Sequence, residues 1–169
     1  MNMKHLNQVL VRWILAVAMC SALIACASSL TLGSYSSFGF DMGKDQQDAV
    51  VLNYRYGNDK YFTQAPEQII KEGKGMYFQS MSNFQYRIDF LYVKWRSTTN
   101  GQVYEDKVDL HRSLPRDMND QTVYFMIKGA QLYVYLIAPE KRLPGTPPIG
   151  PRMYASQKIT TLYPDQSKP

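Results

Sequence analysis

Residues 86–110 read YRIDFLYVKWRSTTNGQVYEDKVDL, two runs of alternating apolar and polar side chains on either side of Asn100-Gly101. Alternation with period two is the signature of a strand with one buried face. Asn-Gly is the strongest two-residue hairpin signal, because both positions of a type I′ turn need positive φ. A two-residue loop pairs Thr99 with Gln102, Trp95 with Asp106, Val93 with Val108 and Leu91 with Leu110. Leu91, Val93, Val108 and Leu110 then share one face, as a common core requires. Glu105 and Asp109 turn to solvent, and Asp106 lies opposite Trp95.

A second hairpin follows from residues 122–128 and 131–138, joined by Gly129-Ala130 in a type II′ turn with Gly first. Its register pairs Ile127 with Leu132, Phe125 with Val134 and Val123 with Leu136, again one apolar face. Val, Ile, Tyr, Phe and Thr dominate both hairpins, which favours strands over helices.

The remaining segments extend this pattern. Val50, Leu52, Tyr54 and Tyr56 alternate with Val51, Asn53 and Arg55, Gly57-Asn58-Asp59 is a turn, and residues 60–63 start another strand. Residues 66–72 suit one helical turn, with Pro66 at its start and Gly73 ending it, or an edge strand. Residues 75–81 are extended. Pro144, Pro147, Pro148 and Pro151 make residues 140–152 a loop, since no central strand tolerates that spacing. Residues 153–163 return as a last strand. The expected fold is all-β, an antiparallel β-sandwich of about seven strands over residues 48–163, with a tail at 164–169.

The amino terminus reads differently. Lys4 and Arg12 precede WILAVAMCSALIA, residues 13–25, a basic segment followed by an apolar run of signal-peptide length. That run falls short of the ~20 residues that span a bilayer. Leu23, Ile24 and Ala25 ahead of Cys26 resemble a bacterial lipobox, with Cys26 the lipid acceptor. Ala25-Cys26-Ala27 also satisfies an ordinary secretory cleavage pattern. On the lipoprotein reading, residues 1–25 are removed and Cys26 opens a flexible linker, 26–47, in which Tyr35, Phe38 and Phe40 dock onto the domain or the membrane surface. Two or more acyl chains hold a protein to a bilayer stably where one does not. The resemblance, with Ala27 rather than Asp after Cys26, implies the outer membrane, facing the periplasm.

Removing residues 1–25 leaves 144 residues with 17 basic and 14 acidic side chains, a net charge of +3. That length suffices for one domain and one core. The basic residues are scattered, so no nucleic-acid footprint is expected. Cys20 leaves with the signal and Cys26 is acylated, which excludes cysteine catalysis and cysteine–zinc sites. The mature chain has one histidine, His111, and lacks a Gly-x-Ser-x-Gly elbow and a phosphate loop. Asp117-Met118-Asn119-Asp120 has neither the ligand spacing nor the distal glutamate of a calcium loop and reads as an Asx turn. Neither catalysis nor a cofactor or metal is expected.

What stands out is a surplus of aromatic side chains. Tyr124, Met126, Tyr133 and Tyr135 lie on the face of the second hairpin opposite its core. Either a second layer covers them, supplied by the linker or the C-terminal strand, or they form a contact surface for a protein partner.

The order of a lipobox, Asn53-Tyr54 closing an apolar strand, Val93-Lys94-Trp95, and residues 123–139 ahead of a proline loop resembles one group of small Gram-negative lipoproteins. These carry a domain of unknown function, and some act as immunity proteins to type VI secretion lipase effectors. The β domain departs from those relatives in lacking a cysteine pair. The resemblance implies a periplasmic, non-catalytic binding module that neutralises a lipase. The competing reading is a structural or assembly lipoprotein of the outer membrane.

Overall fold

Both hairpins form, and in this computed structural model, which describes residues 33–165, they belong to different sheets. In chain order the elements are β1 (Ser34–Asp41), β2 (Ala49–Gly57), β3 (Phe62–Gln64), α1 (Glu67–Glu72), β4 (Phe78–Gln85), β5 (Phe90–Ser97) and β6 (Val103–Asp109). β7 (Thr122–Lys128), β8 (Gln131–Lys141), a 3-10 turn (Arg152–Tyr154) and β9 (Gln157–Tyr163) complete the described residues. One sheet has the order β4-β1-β7-β8-β9 and the other β3-β2-β5-β6. The architecture is an all-β sandwich.

The second hairpin has the expected register, with Ile127 opposite Leu132, Phe125 opposite Val134 and Val123 opposite Leu136. The first hairpin is displaced by two residues: Leu91 faces Val108, Val93 faces Asp106 and Trp95 faces Tyr104. The cause lies in the loop. Ser97 donates its N–H to the Gln102 carbonyl at 2.9 Å, so residues 98–101 all belong to the turn. The Ser97 hydroxyl accepts the Thr99 and Asn100 N–H groups, and Gly101 takes φ 72°. A shift of two preserves which side chains face inward, so Leu91, Val93, Val108 and Leu110 remain in the core. Asp106 lies opposite Val93 rather than Trp95, and its carboxylate accepts the Tyr163 hydroxyl at 2.7 Å.

Nine strands replace the expected seven among the described residues, and the largest correction is at the amino-terminal side. Residues 34–41, expected within a linker, form β1, which lies inside its sheet between β4 and β7. It pairs antiparallel with β4 and parallel with β7, so the sandwich is not wholly antiparallel. Phe38 stacks on Tyr56 at 4.1 Å between ring centroids, and Phe40 lies 4.6 Å from Phe125. These rings close the space between the sheets. The Asp117–Asp120 stretch is the Asx turn expected, with Asn119 N–H on the Asp117 carboxylate at 2.9 Å. It also anchors β1, because the Asn119 side-chain oxygen accepts the Tyr35 N–H at 2.8 Å.

β2 departs from strict alternation. Val51 pairs with Trp95 and Asn53 with Lys94, leaving Leu52 as the extra residue of a bulge. Val51 therefore faces the core with Tyr54 and Tyr56, in place of Val50 and Leu52. Of the two readings of residues 66–72, the helix is present, closed by Gly73 in the left-handed region at φ 63°. Trp95 is fully buried, and its indole N–H donates to the Gly129 carbonyl at 3.1 Å. That bond ties the turn of the second hairpin to the opposite sheet.

Candidate functional site

The signal segment 1–25, the lipobox residues Leu23, Ile24 and Ala25, the lipid acceptor Cys26 and residues 166–169 lie outside the described residues. Tyr124, Met126, Tyr133 and Tyr135 lie within them and do share one face, but that face is covered. Tyr124, Met126, Tyr135 and Ile137 are buried in a second apolar cluster, with Tyr133, Tyr154 and Ile159 packed at its edge. The cover is the proline-rich segment 142–156 together with β9. Tyr154 meets Tyr124 edge-to-face at 5.6 Å. Asp45, whose side chain is 1% exposed, holds this segment by accepting the Arg152 N–H at 2.9 Å. Burial, and then the Asp45 and Asp41 carboxylates, push the Tyr124 hydroxyl well above the usual tyrosine range. The expectation that these four residues form an open contact surface is overturned, and the second-layer reading holds.

The open aromatic surface lies elsewhere, where the sheet edges formed by β3 and β4 diverge. Gly57 begins it: a Cβ there would come within 2.3 Å of the Tyr61 carbonyl oxygen and 2.7 Å of Phe62 Cα. Only glycine lets the chain fold back so tightly onto the end of β2. Asn58 then fixes the turn. Its side-chain oxygen accepts the Lys60 and Tyr61 N–H groups at 3.0 and 2.7 Å, and its amide donates to the Arg87 carbonyl at 2.6 Å. These bonds bring the 57–62 turn against the 85–88 segment. Tyr61 and Tyr86 stack at 4.1 Å, and Phe84 meets Tyr86 edge-on at 6.3 Å. Phe62 lies under the Arg55 guanidinium at 3.7 Å.

Between these walls is a cavity of about 140 Å³. Tyr56 and Ile88 form its buried floor, Tyr61, Phe62 and Thr63 one wall, and Met81, Asn83 and Gln85 the other. Two buried polar atoms on its lining residues, the Tyr56 hydroxyl and the Gln85 side-chain nitrogen, lack hydrogen-bond partners among the described residues. Tyr56 is 1% exposed, and burial drives its hydroxyl far above the ordinary value, so it stays neutral at any physiological pH. Both atoms are closed off from solvent, so they belong to the floor and wall beneath the cavity rather than to its open surface. A buried polar group without a partner costs ~1–3 kcal/mol. Sequence reasoning missed this site because its residues come from four separate segments, and its only local signal was the Gly57-Asn58-Asp59 turn.

Beside it, His111 bridges two strand ends. Its Nδ1 lies 2.7 Å from Asp89 Oδ1, and Arg87 Nη2 lies 2.8 Å from its Nε2. Arginine only donates, so Nε2 accepts and Nδ1 carries the proton. That leaves the ring without a free lone pair and makes it a brace between β6 and the 85–89 segment. Among the described residues no cluster of three or more His, Cys, Asp or Glu is arranged to hold a metal. No helix among them is long and apolar enough to cross a membrane.

The chain matches no known protein family, curated protein or solved structure.

Proposed function

We propose that this protein is a periplasmic lipoprotein, anchored to the outer membrane through acylated Cys26, whose β-sandwich binds a protein partner without catalysing a reaction. The specific form we favour is an immunity protein that neutralises a type VI secretion lipase effector. One observation carries the binding role: Tyr61, Phe62, Phe84 and Tyr86 are each 44–57% exposed around one cavity. Aromatic side chains are enriched at the centres of interfaces, where they supply large contact area at little entropic cost. A domain held at the membrane also meets a membrane-directed toxin at raised effective concentration. The residues Leu23 to Cys26 support the anchor.

The anchor is tested by globomycin, which should make the precursor accumulate, and by Cys26→Ser, which should leave the membrane fraction. Capture from detergent-solubilised envelopes should return an effector in a one-to-one complex, weakened by Tyr86→Ala and Phe84→Ala. Recovery of outer-membrane assembly proteins alone would move the module to the structural role. Growth protection against a lipase effector encoded beside the gene, lost on deleting this protein, separates the immunity form from other binding roles.

A further inference from the structure

Strand edges that end a sheet are templates for another strand unless they are short, charged, interrupted by proline or covered. Three of the four edges among the described residues are defended in this way. β3 is three residues long, β6 carries Glu105, Asp106, Lys107 and Asp109, and β9 carries Lys158. β4 is different. Its eight residues, FQSMSNFQ, contain neither a charge nor a proline, and β1 is its only sheet partner among the described residues.

The hydrogen-bond phase of this edge follows from the register. Met42 donates its N–H to the Tyr77 carbonyl at 2.8 Å, which marks that pair as hydrogen-bonded. Antiparallel pairs alternate, so Gln79, Met81, Asn83 and Gln85 direct their backbone groups at β1. Phe78, Ser80, Ser82 and Phe84 direct theirs away, and all four are exposed. Among the described residues the Ser80 carbonyl meets only the Gln79 side-chain amide, at 3.4 Å.

The edge and the cavity are contiguous, because the inward side chains Met81, Asn83 and Gln85 of β4 form the cavity wall. A strand added to β4 directs alternate side chains inward, into the space between β4 and β3. We propose that β4 is a strand-addition site: an uncharged extended segment of the protein partner pairs with Phe78–Gln85 and inserts one aromatic side chain into the cavity. The occupant follows from complementarity. The edge offers backbone donors and acceptors in strand spacing and carries no charge for an ionic segment to meet. The cavity of about 140 Å³ suits one ring, since an engineered cavity of ~150 Å³ holds benzene. The proposal rests on the protein-binding reading above and specifies how the partner is held.

The test uses a phage-displayed library of random heptapeptides against the soluble Cys26→Ser protein. Enriched peptides should lack proline, alternate β-branched residues and carry one aromatic position, and their binding should perturb the Ser80 and Ser82 amides in NMR spectra. Ser82→Pro removes one outward N–H at a position where an edge strand tolerates proline. It should weaken peptide binding at least tenfold. The Ser80→Lys protein tests the same edge without a backbone change and should do likewise at an unchanged melting temperature. Enrichment of proline-containing peptides, no enrichment, perturbations confined to other strands, or equal binding by both variants would overturn strand addition. Concentration-dependent dimerisation abolished by Ser82→Pro would instead assign the edge to a second copy of this chain. Envelope capture is scored separately: equal capture of the effector by wild-type and Ser82→Pro proteins rejects strand addition and leaves the binding module standing. Edge-specific peptide binding without any captured partner does the reverse.

Discussion

Phe40→Ala tests whether the amino-terminal segment is part of the fold or a tether. Phe40 is fully buried on β1, with its ring 4.6 Å from Phe125 and 5.8 Å from Tyr54. Truncating such a side chain to alanine removes its transfer free energy and leaves a cavity, together ~3–5 kcal/mol. Small domains are stable by only ~5–15 kcal/mol, so the variant should lose about a fifth of its stability or more. With an unfolding entropy of ~2.1 cal/mol/K per residue over roughly 130 residues, a loss of 4 kcal/mol lowers the melting temperature by about 15 °C. Urea denaturation followed by circular dichroism measures it directly. Phe84→Ala is the matched control: the same substitution at a 57% exposed ring on the neighbouring strand should cost under ~0.5 kcal/mol. A cost below ~1 kcal/mol for Phe40→Ala, with cooperative unfolding retained, would refute the placement of β1 inside the sheet.

Tyr56→Phe should leave stability unchanged or raise it slightly, because it removes a buried hydroxyl that has no partner; a loss above ~1 kcal/mol in urea would show that the hydroxyl is bonded. Stability should be flat near neutral pH and fall above about pH 10, the ordinary tyrosine value. Burial raises the Tyr54, Tyr56 and Tyr124 hydroxyls, so the folded protein keeps protons that the unfolded chain releases. Each fully buried tyrosine contributes a slope of up to ~1.4 kcal/mol per pH unit, and Tyr56→Phe should make the alkaline fall shallower in urea titrations at stepped pH. Asp45→Ala should free the 142–156 cover and expose Tyr124 and Tyr135, read as faster tyrosine nitration at those two positions by peptide mapping. Gly57→Ala should disrupt the 57–62 turn, since the added methyl meets backbone at 2.3 Å, and should abolish peptide binding together with a drop in melting temperature.

How much of this was legible varies with the range of the signal. The Gly129-Ala130 loop set its register correctly because a two-residue turn leaves no freedom, and Gly129 takes φ 60° as the turn requires. At Asn100-Gly101 the same reasoning slipped by two, because the Ser97 hydroxyl draws Thr98 and Thr99 into the turn. β1 was obscured by composition: SYSSFGF is rich in serine and glycine, yet Phe38 and Phe40 alternate with Gly39 and Asp41 as a strand should. The Leu52 bulge has no local mark at all.

The sequence by itself determined the β class, both hairpins, the apolar face of each, and the helical turn after Pro66 as one of two choices. Each rests on neighbours a few residues apart, where periodicity and turn stereochemistry act. Tertiary structure alone decided that residues 34–41 enter the sheet, that Asp45 and Arg152 clamp a cover over Tyr124 and Tyr135, and that β3 and β4 part to leave a cavity over Tyr56. Those outcomes depend on which distant surfaces exclude water together, and the order of residues along a chain does not display that.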